Sequence, residues 1–172
     1  IYIVGVPLDD TGGTGTGAAY VYGYGYSKLE DWTQQQKVPP ALEQLGWSVD
    51  VDGTTCIVGA QCDENGGTNT GAAYIYVYSG GNWIQQQKLQ ASDKEEGDYF
   101  GYSVGISGDT CVIGAEGSGA AYVFVRSSGI WTQQAKLQSS DIETDDYFGW
   151  SVSIYGDSCI VGAPYEDTGG TN

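Results

Sequence analysis

Three carboxylate pairs are the residues of this sequence best suited to chemistry. They are Asp9-Asp10, Asp63-Glu64 and Glu166-Asp167. Hard cations such as Ca²⁺ take several carboxylate and carbonyl oxygens, and paired carboxylates also act as acid and base in catalysis. The pairs recur at one position of a repeated pattern, however, and an active site rarely repeats with the fold. We therefore interpret them as loop acids with a structural or solubility role. Weak cation binding, including calcium, stays open as the alternative, and no residue is assigned to catalysis or to a cofactor.

The composition argues against several other kinds of functional site. The 172 residues include no histidine, so neither a Ser-His-Asp nor a Cys-His arrangement exists and an imidazole ligand is absent. A formal net charge of −16 repels phosphate backbones and anionic lipids, so nucleic acid is not an expected partner. The sequence has no run of 18 or more apolar residues, and we expect no membrane span. These observations favour a protein that is not an enzyme.

The cysteines do not suggest metal binding. Cys56, Cys111 and Cys159 lie at one position of the repeat, each three residues before a recurring glycine, and CxxC spacing is absent. Equivalent positions of consecutive repeats are too far apart for a disulfide, so we expect three buried, unbonded thiols. Cys62 stands apart in a loop, where a free or intermolecular thiol is expected.

Four short sequence motifs, which we call landmarks, recur in fixed order along the chain. The elements that they form must position the carboxylates and cysteines. The first is Leu45-Gly46-Trp47-Ser48-Val49, which returns as Phe100 to Val104 and Phe148 to Val152. The second is Ile57-Val58-Gly59-Ala60, with counterparts at Ile3 to Val6, Val112 to Ala115 and Ile160 to Ala163. The third, Gly-Ala-Ala-Tyr, begins at Gly17, Gly71 and Gly119, and the fourth, Trp-x-Gln-Gln, begins at Trp32, Trp83 and Trp131. Such self-similarity is the signature of a repeat architecture.

The repeat length sets the expected units. Gly5, Gly59, Gly114 and Gly162 are separated by 54, 55 and 48 residues, and the shorter third spacing comes from one loop. We expect a partial unit at 1–44, complete units at 45–99 and 100–147, and a partial unit at 148–172.

Each complete unit predicts four short strands. In the second complete unit they are 102–107, 110–115, 120–126 and 130–137, with a hairpin signal at Gly108-Asp109 between the first two. Both faces of the third strand are apolar, as expected when neighbouring sheets cover each side. The fold class is therefore all-β. The units predict four-stranded antiparallel blades of a β-propeller, about three repeats of a longer array.

The five tryptophans leave two interpretations. Trp32, Trp83 and Trp131 open the fourth strand, while Trp47 and Trp150 follow the first landmark glycine. Aromatic residues fixed in a repeat are more often packing residues than a ligand platform. Stacking on sugars is the alternative.

The order Phe-Gly, strand, Gly-Ala-Pro, Gly-Ala-Ala-Tyr resembles the FG-GAP repeats of integrin α-chains and of microbial surface proteins, across essentially the whole chain. Phe148-Gly149 and Gly162-Ala163-Pro164 carry the closest match. The resemblance implies a propeller, an extracellular or cell-surface location and, in some similar proteins, lectin activity. It does not extend to the DxDxDG calcium loop, because the matching turns carry at most two carboxylates. The acidic segments 93–98 and 141–146 are expected to be exposed linkers, with cation binding as the alternative.

Together these features predict a non-enzymatic, extracellular structural or adhesive module. Residues 158–172 repeat the pattern of residues 1–15, so each end resembles an incomplete blade. We expect further repeats of the same chain, or copies of itself, to pack against both ends; glycans or surface proteins are further expected partners. A carbohydrate-binding propeller is the alternative function.

Overall fold

A computed structural model describes residues 1–8, 16–24, 32–38, 44–140 and 146–165. The strands are β1 (Tyr2–Val6), β2 (Ala18–Tyr24), β3 (Trp32–Val38), β4 (Val49–Asp52), β5 (Thr55–Ala60), β6 (Ala72–Ser79), β7 (Asn82–Leu89), β8 (Phe100–Ser107), β9 (Thr110–Ala115), β10 (Ala120–Ser127), β11 (Ile130–Leu137), β12 (Ser151–Tyr155) and β13 (Ser158–Gly162). One short 3-10 turn, Glu116–Ser118, joins β9 to β10. In the part of the chain that the structure describes, no helix is long and apolar enough to cross a membrane.

The strands form four antiparallel sheets in chain order. The second sheet (β4-β5-β6-β7) and the third sheet (β8-β9-β10-β11) have four strands each. The first sheet (β1-β2-β3) has three described strands and the fourth sheet (β12-β13) has two. The four-stranded blades predicted from the repeat are thus present, and β8 begins at Phe100 rather than Tyr102 because Phe100 also pairs with Ala115.

Apolar residues on both faces hold the sheets together. All six residues of β5 are buried, and so are the first five of β6. Ile57 and Ile75 belong to a core shared with the third sheet, whereas Val58 and Tyr76 belong to a core shared with the first sheet. One face of each sheet therefore packs on the opposite face of the next, in a head-to-tail arrangement. We call these contacts the first–second, second–third and third–fourth seams.

The landmark glycines lie where consecutive sheets approach each other. A Cβ at Gly59 would clash with the carbonyl of Gly101 in the next sheet. Gly101 itself has φ +90°, a left-handed conformation that favours glycine, and a Cβ there would clash with the carbonyl of Ala72. The Ser48 hydroxyl donates a hydrogen bond of 2.8 Å to the same Gly101 carbonyl. The recurrence of Phe-Gly and Gly-Ala in the sequence thus reflects backbone contact between sheets.

Candidate functional site

Asp63 is a buried structural carboxylate. Its side chain is 0% exposed and receives hydrogen bonds from the Tyr74 hydroxyl, from the Asn65 N–H at 2.9 Å and from Lys88 Nζ at 2.8 Å. The Asp63 carbonyl also accepts a bond from the Gly71 N–H at 3.0 Å. A buried charge that is paired and hydrogen-bonded needs no further ligand. Asp63 therefore fixes the loop between β5 and β6.

Of the other predicted loop acids, the structure describes only Glu64. Glu64 is exposed, although it directly follows Asp63. Asp9, Asp10, Glu166 and Asp167 lie outside the described residues. Within the described ranges, no group of three or more Cys, Asp or Glu side chains is arranged to hold a metal ion. Cation binding at the four remaining acids stays a prediction.

A lysine above a tyrosine ring recurs in three sheets and was missed by sequence reasoning. Lys37 lies 5.5 Å from the Tyr20 ring centroid, Lys88 5.6 Å from that of Tyr74, and Lys136 5.5 Å from that of Tyr122. The signal in the sequence is a lysine five residues after each fourth-strand tryptophan. Where the loop after β9 is short, Lys136 instead pairs with Asp93 of the preceding linker at 2.7 Å.

The acidic segment 93–98 is only partly the exposed linker that we expected. Asp93 is exposed, and hydrogen bonding from Lys136 lowers the pKa of its carboxyl. Asp98 is buried and accepts a hydrogen bond from the Glu95 N–H at 2.7 Å. Burial raises the pKa of the Asp98 carboxyl. Residues 141–145 of the second acidic segment lie outside the described residues.

The thiol positions separate into two groups. Cys56, Cys111 and Cys159 form no disulfide, as predicted. Cys56 and Cys111 are buried opposite Tyr76 and Phe124 of the adjacent strands, and burial raises the pKa of Cys56 to about 12. The expectation of burial is wrong for Cys159, which is exposed because β13 has no third strand beside it in the described residues.

The tryptophans also separate. Trp83 and Trp131 are packing residues, 3% and 2% exposed. Trp47 and Trp150 combine packing with exposure: each is 40% exposed, and each contacts the Tyr102 ring. Trp32, the counterpart of Trp83 in the first sheet, is 45% exposed and contacts Tyr2.

Trp47 and Trp150 belong to a continuous set of rings that we call the aromatic row. Its members are Trp47, Tyr102, Tyr147, Trp150 and Tyr165. The ring centroids are 5.6 Å apart for Trp47 and Tyr102, and 5.0 Å apart for Tyr102 and Trp150. Tyr147 and Tyr165 extend the row with centroid distances of 5.5 to 6.5 Å.

The repeat itself positions the aromatic row. Trp47, Tyr102 and Trp150 each follow the landmark glycine, so they come from three consecutive units. Tyr147 precedes the landmark and has φ 54°, a left-handed conformation that is uncommon for a bulky residue. This backbone conformation occurs directly before the Phe148-Gly149 turn, and the Tyr147 side chain is exposed.

Glu116 is the acidic residue beside the row. Its carboxylate oxygen Oε2 is buried and has no hydrogen-bond partner. Burial raises the pKa of the Glu116 carboxyl. The pKa of Tyr102 is raised by burial, then by the charges of Glu116 and Tyr165. Aromatic faces and a carboxylate thus share one surface.

The sheets and their seams define the class of fold. Four-stranded antiparallel sheets, stacked head to tail in sequence order, are blades of a β-propeller. Comparison with known families finds the FG-GAP repeat at residues 32–76, 83–124 and 131–172, each match beginning at a fourth-strand tryptophan. The chain belongs to the FG-GAP repeat family. A search of the curated proteins finds no match.

Family membership carries a general statement of role. FG-GAP repeats generally form protein–protein or adhesion modules, typically without enzymatic activity, and they occur in extracellular and surface proteins. Fold alone does not specify a function, and the particular role of this chain depends on its surfaces.

Proposed function

We propose that this chain is a non-enzymatic, extracellular structural or adhesive module that works through contacts with further repeats or with copies of itself. The observation that carries the proposal is an open sheet face. Tyr2, Val4 and Val6 of β1 are 60%, 47% and 38% exposed. Their counterparts in β5, Cys56, Val58 and Ala60, are each 0% exposed.

The open face of β1 is equivalent to a sheet face that is packed against a neighbouring sheet elsewhere in the molecule. In the second–third seam, Cys111, Ile113 and Ala115 of β9 pack on the face that includes Ile57 and Ile75. The open face of β1 corresponds to the β9 side of that seam. A face of this type therefore suits the opposite face of another propeller sheet, and such heterologous contacts build rings or filaments.

The third–fourth seam offers a second place for such contact. A cavity of about 290 Å³ lies between the third and fourth sheets. Val112, Val123 and Leu137 line it from one side and Ile154 and Cys159 from the other. In the second–third seam the corresponding region is filled by third- and fourth-strand aromatics such as Phe124 and Trp131. The cavity is therefore a place where the third and fourth strands of another repeat can pack.

Light scattering on residues 1–172 over a range of concentrations tests self-association. We expect a defined oligomer or concentration-dependent aggregation. Val4→Lys places a charge on the open face and should lower the measured mass, whereas Ile84→Lys, at a residue 53% exposed on β7, is the matched control. A cooperatively folded wild-type monomer would contradict the proposal. Equal effects of the two lysine variants would show that charge alone, and not the open face, controls association.

A further inference from the structure

The exposure of the aromatic row is unlike that of a scattered surface residue. Single exposed aromatic side chains are ordinary, but a contiguous apolar patch on a soluble protein usually marks a place of contact. Trp47 and Trp150 are equally exposed although they belong to different sheets. Together with the exposed Tyr147 and Tyr165, they give the aromatic row a surface that is open to solvent.

The row differs from the buried part of the seams. Tryptophans that serve the seams are buried, as Trp83 and Trp131 show. In the second–third seam the Trp131 ring nitrogen donates to Gln86 Oε1 at 3.0 Å, and its backbone is bound by Gln87. No such burial fixes Trp47 or Trp150. Tryptophan and tyrosine at these exposed positions are amphipathic side chains of the kind enriched in binding sites.

The excess of acidic residues indicates which kind of partner would bind the aromatic row. The chain has 22 acidic and 6 basic residues. Beside the row, Glu116 has a carboxylate oxygen without a hydrogen-bond partner. The acidic segment 93–98 approaches the same end of the sheets, since the Gly117 N–H donates to the Asp98 carbonyl at 3.2 Å. Exposed aromatic faces near carboxylates attract Lys and Arg side chains by cation–π and charge interactions.

We propose that the aromatic row, together with Glu116, binds a Lys- or Arg-bearing segment of a partner protein. The proposal rests on the function proposed above, because it names one class of partner for a protein-binding module. A second copy of this chain does not supply such a segment readily, because 22 acidic residues accompany its 6 basic ones.

Ring geometry favours separate cations over a flat ligand. Trp47 and Tyr102 are inclined by 52°, and Tyr102 and Trp150 by 49°. Neighbouring rings therefore do not form one plane on which a sugar or a base could lie. An extended segment with basic side chains at intervals meets each ring separately. The acidic surface also raises the local concentration of a cationic ligand, whereas it does nothing for a neutral glycan.

The test is a titration of residues 1–172 with a fluorescently labelled peptide of alternating Arg and Ser, followed by anisotropy near physiological salt. Trp47→Ala and Trp150→Ala leave the net charge unchanged, so general attraction to an acidic protein is preserved. We expect each to weaken binding about three-fold and the double variant about ten-fold. Trp32→Ala is the matched control, because Trp32 is exposed but lies outside the row, and it should not change the affinity.

Glu116→Gln provides a second variant that removes the charge and retains the shape. It should weaken binding and reduce its dependence on salt, whereas Glu64→Gln, at an exposed acid of another loop, should have a smaller effect. Circular dichroism checks that each variant is folded. If a variant does not fold, the remaining substitutions and the salt dependence still decide the question.

Two outcomes would overturn the proposal. The first is an unchanged affinity for the peptide in the Trp47 and Trp150 double variant. The second is binding of a neutral oligosaccharide, insensitive to salt and lost in that double variant, while the Arg-Ser peptide binds weakly; this would assign the row to sugars. Light scattering of the same samples separates the two proposals, because failure of self-association leaves peptide binding measurable, and failure of peptide binding leaves the oligomeric mass unchanged.

Discussion

The second–third seam and the third–fourth seam share a serine–glycine contact and differ in how much apolar surface they bury. In both, a serine of the first landmark bonds a glycine carbonyl of the next sheet: Ser48 to Gly101 and Ser103 to Gly149, each at 2.8 Å. Beyond this shared contact, the second–third seam buries large aromatic side chains, whereas the third–fourth seam contains a cavity of about 290 Å³. The first two strands of a sheet thus suffice for the glycine contact. The third and fourth strands supply the apolar burial.

The polar contacts differ in the same way. The side chain of Gln87 in β7 makes two hydrogen bonds to the backbone of Trp131 in the next sheet. Gln87 Nε2 donates to the Trp131 carbonyl at 2.8 Å, and Gln87 Oε1 accepts from the Trp131 N–H at 2.9 Å. Gln36 makes the same pair of bonds to Trp83. The corresponding residue of the third sheet is Ala135. The third sheet therefore cannot make this side-chain contact with a following sheet, even if that sheet has a fourth strand.

The strongest test of this comparison is the fourth-strand tryptophan in its two environments. Trp131→Ala should destabilise the fold by about 3–5 kcal/mol, because it removes a buried aromatic ring from a closed seam. Trp32→Ala removes the same repeat residue where it is 45% exposed and should cost far less. Urea unfolding of both variants measures the difference. Equal losses would mean that the two positions are packed alike in solution.

A second test separates contacts within a sheet from contacts across a seam. Lys88→Met leaves the buried Asp63 carboxylate without its cation, and breaking such a pair costs about 3–5 kcal/mol, an upper limit here since Lys88 is partly exposed. Lys136→Met leaves Asp93, which is exposed to water, so the loss should be below about 1 kcal/mol. Denaturant unfolding gives both values. A large loss for Lys136→Met would show that the linker contact, rather than the loop, carries the stability.

The glutamine contact gives a third, smaller effect. Gln87→Ala leaves a backbone N–H and a carbonyl at Trp131 without side-chain partners and should cost about 1–3 kcal/mol. Ala135→Gln introduces the same side chain where the described chain offers no fourth strand to receive it. That variant should leave the unfolding midpoint nearly unchanged. A stabilised Ala135→Gln would indicate that another sheet, from a second molecule, completes the third–fourth seam.

Sequence reasoning predicted the sheets better than it predicted the surfaces. Four strands in each complete unit and the hairpin at Gly108-Asp109 follow from alternation and turn residues, which are local properties. The exposure of Trp47 and the burial of Asp63 could not be predicted in that way. Both depend on which neighbour lies beside the residue, and a repeat pattern records only the position. Cys159 illustrates the same limit, because its position matches that of Cys56 but its environment does not.

The smallest effect concerns two acids of one linker, whose titration should act on stability in opposite directions. The Lys136 hydrogen bond lowers the pKa of Asp93, so this carboxylate stabilises the fold above its unfolded pKa of about 3.9. That contribution is lost as the pH falls through the lowered pKa of the folded state. Burial raises the pKa of Asp98, so its ionisation opposes folding as the pH rises.

The variants Asp93→Asn and Asp98→Asn should therefore diverge with pH. Relative to wild type, Asp93→Asn loses stability as the pH rises from acid to neutral, by less than about 1 kcal/mol because the pair is exposed. Asp98→Asn keeps an oxygen that can accept the bond from the Glu95 N–H and should gain relative stability over the same range. Thermal unfolding across this pH range measures both. Parallel pH profiles would mean that Lys136 does not hold Asp93 across the second–third seam, and the seam would then depend on apolar burial and its neutral hydrogen bonds.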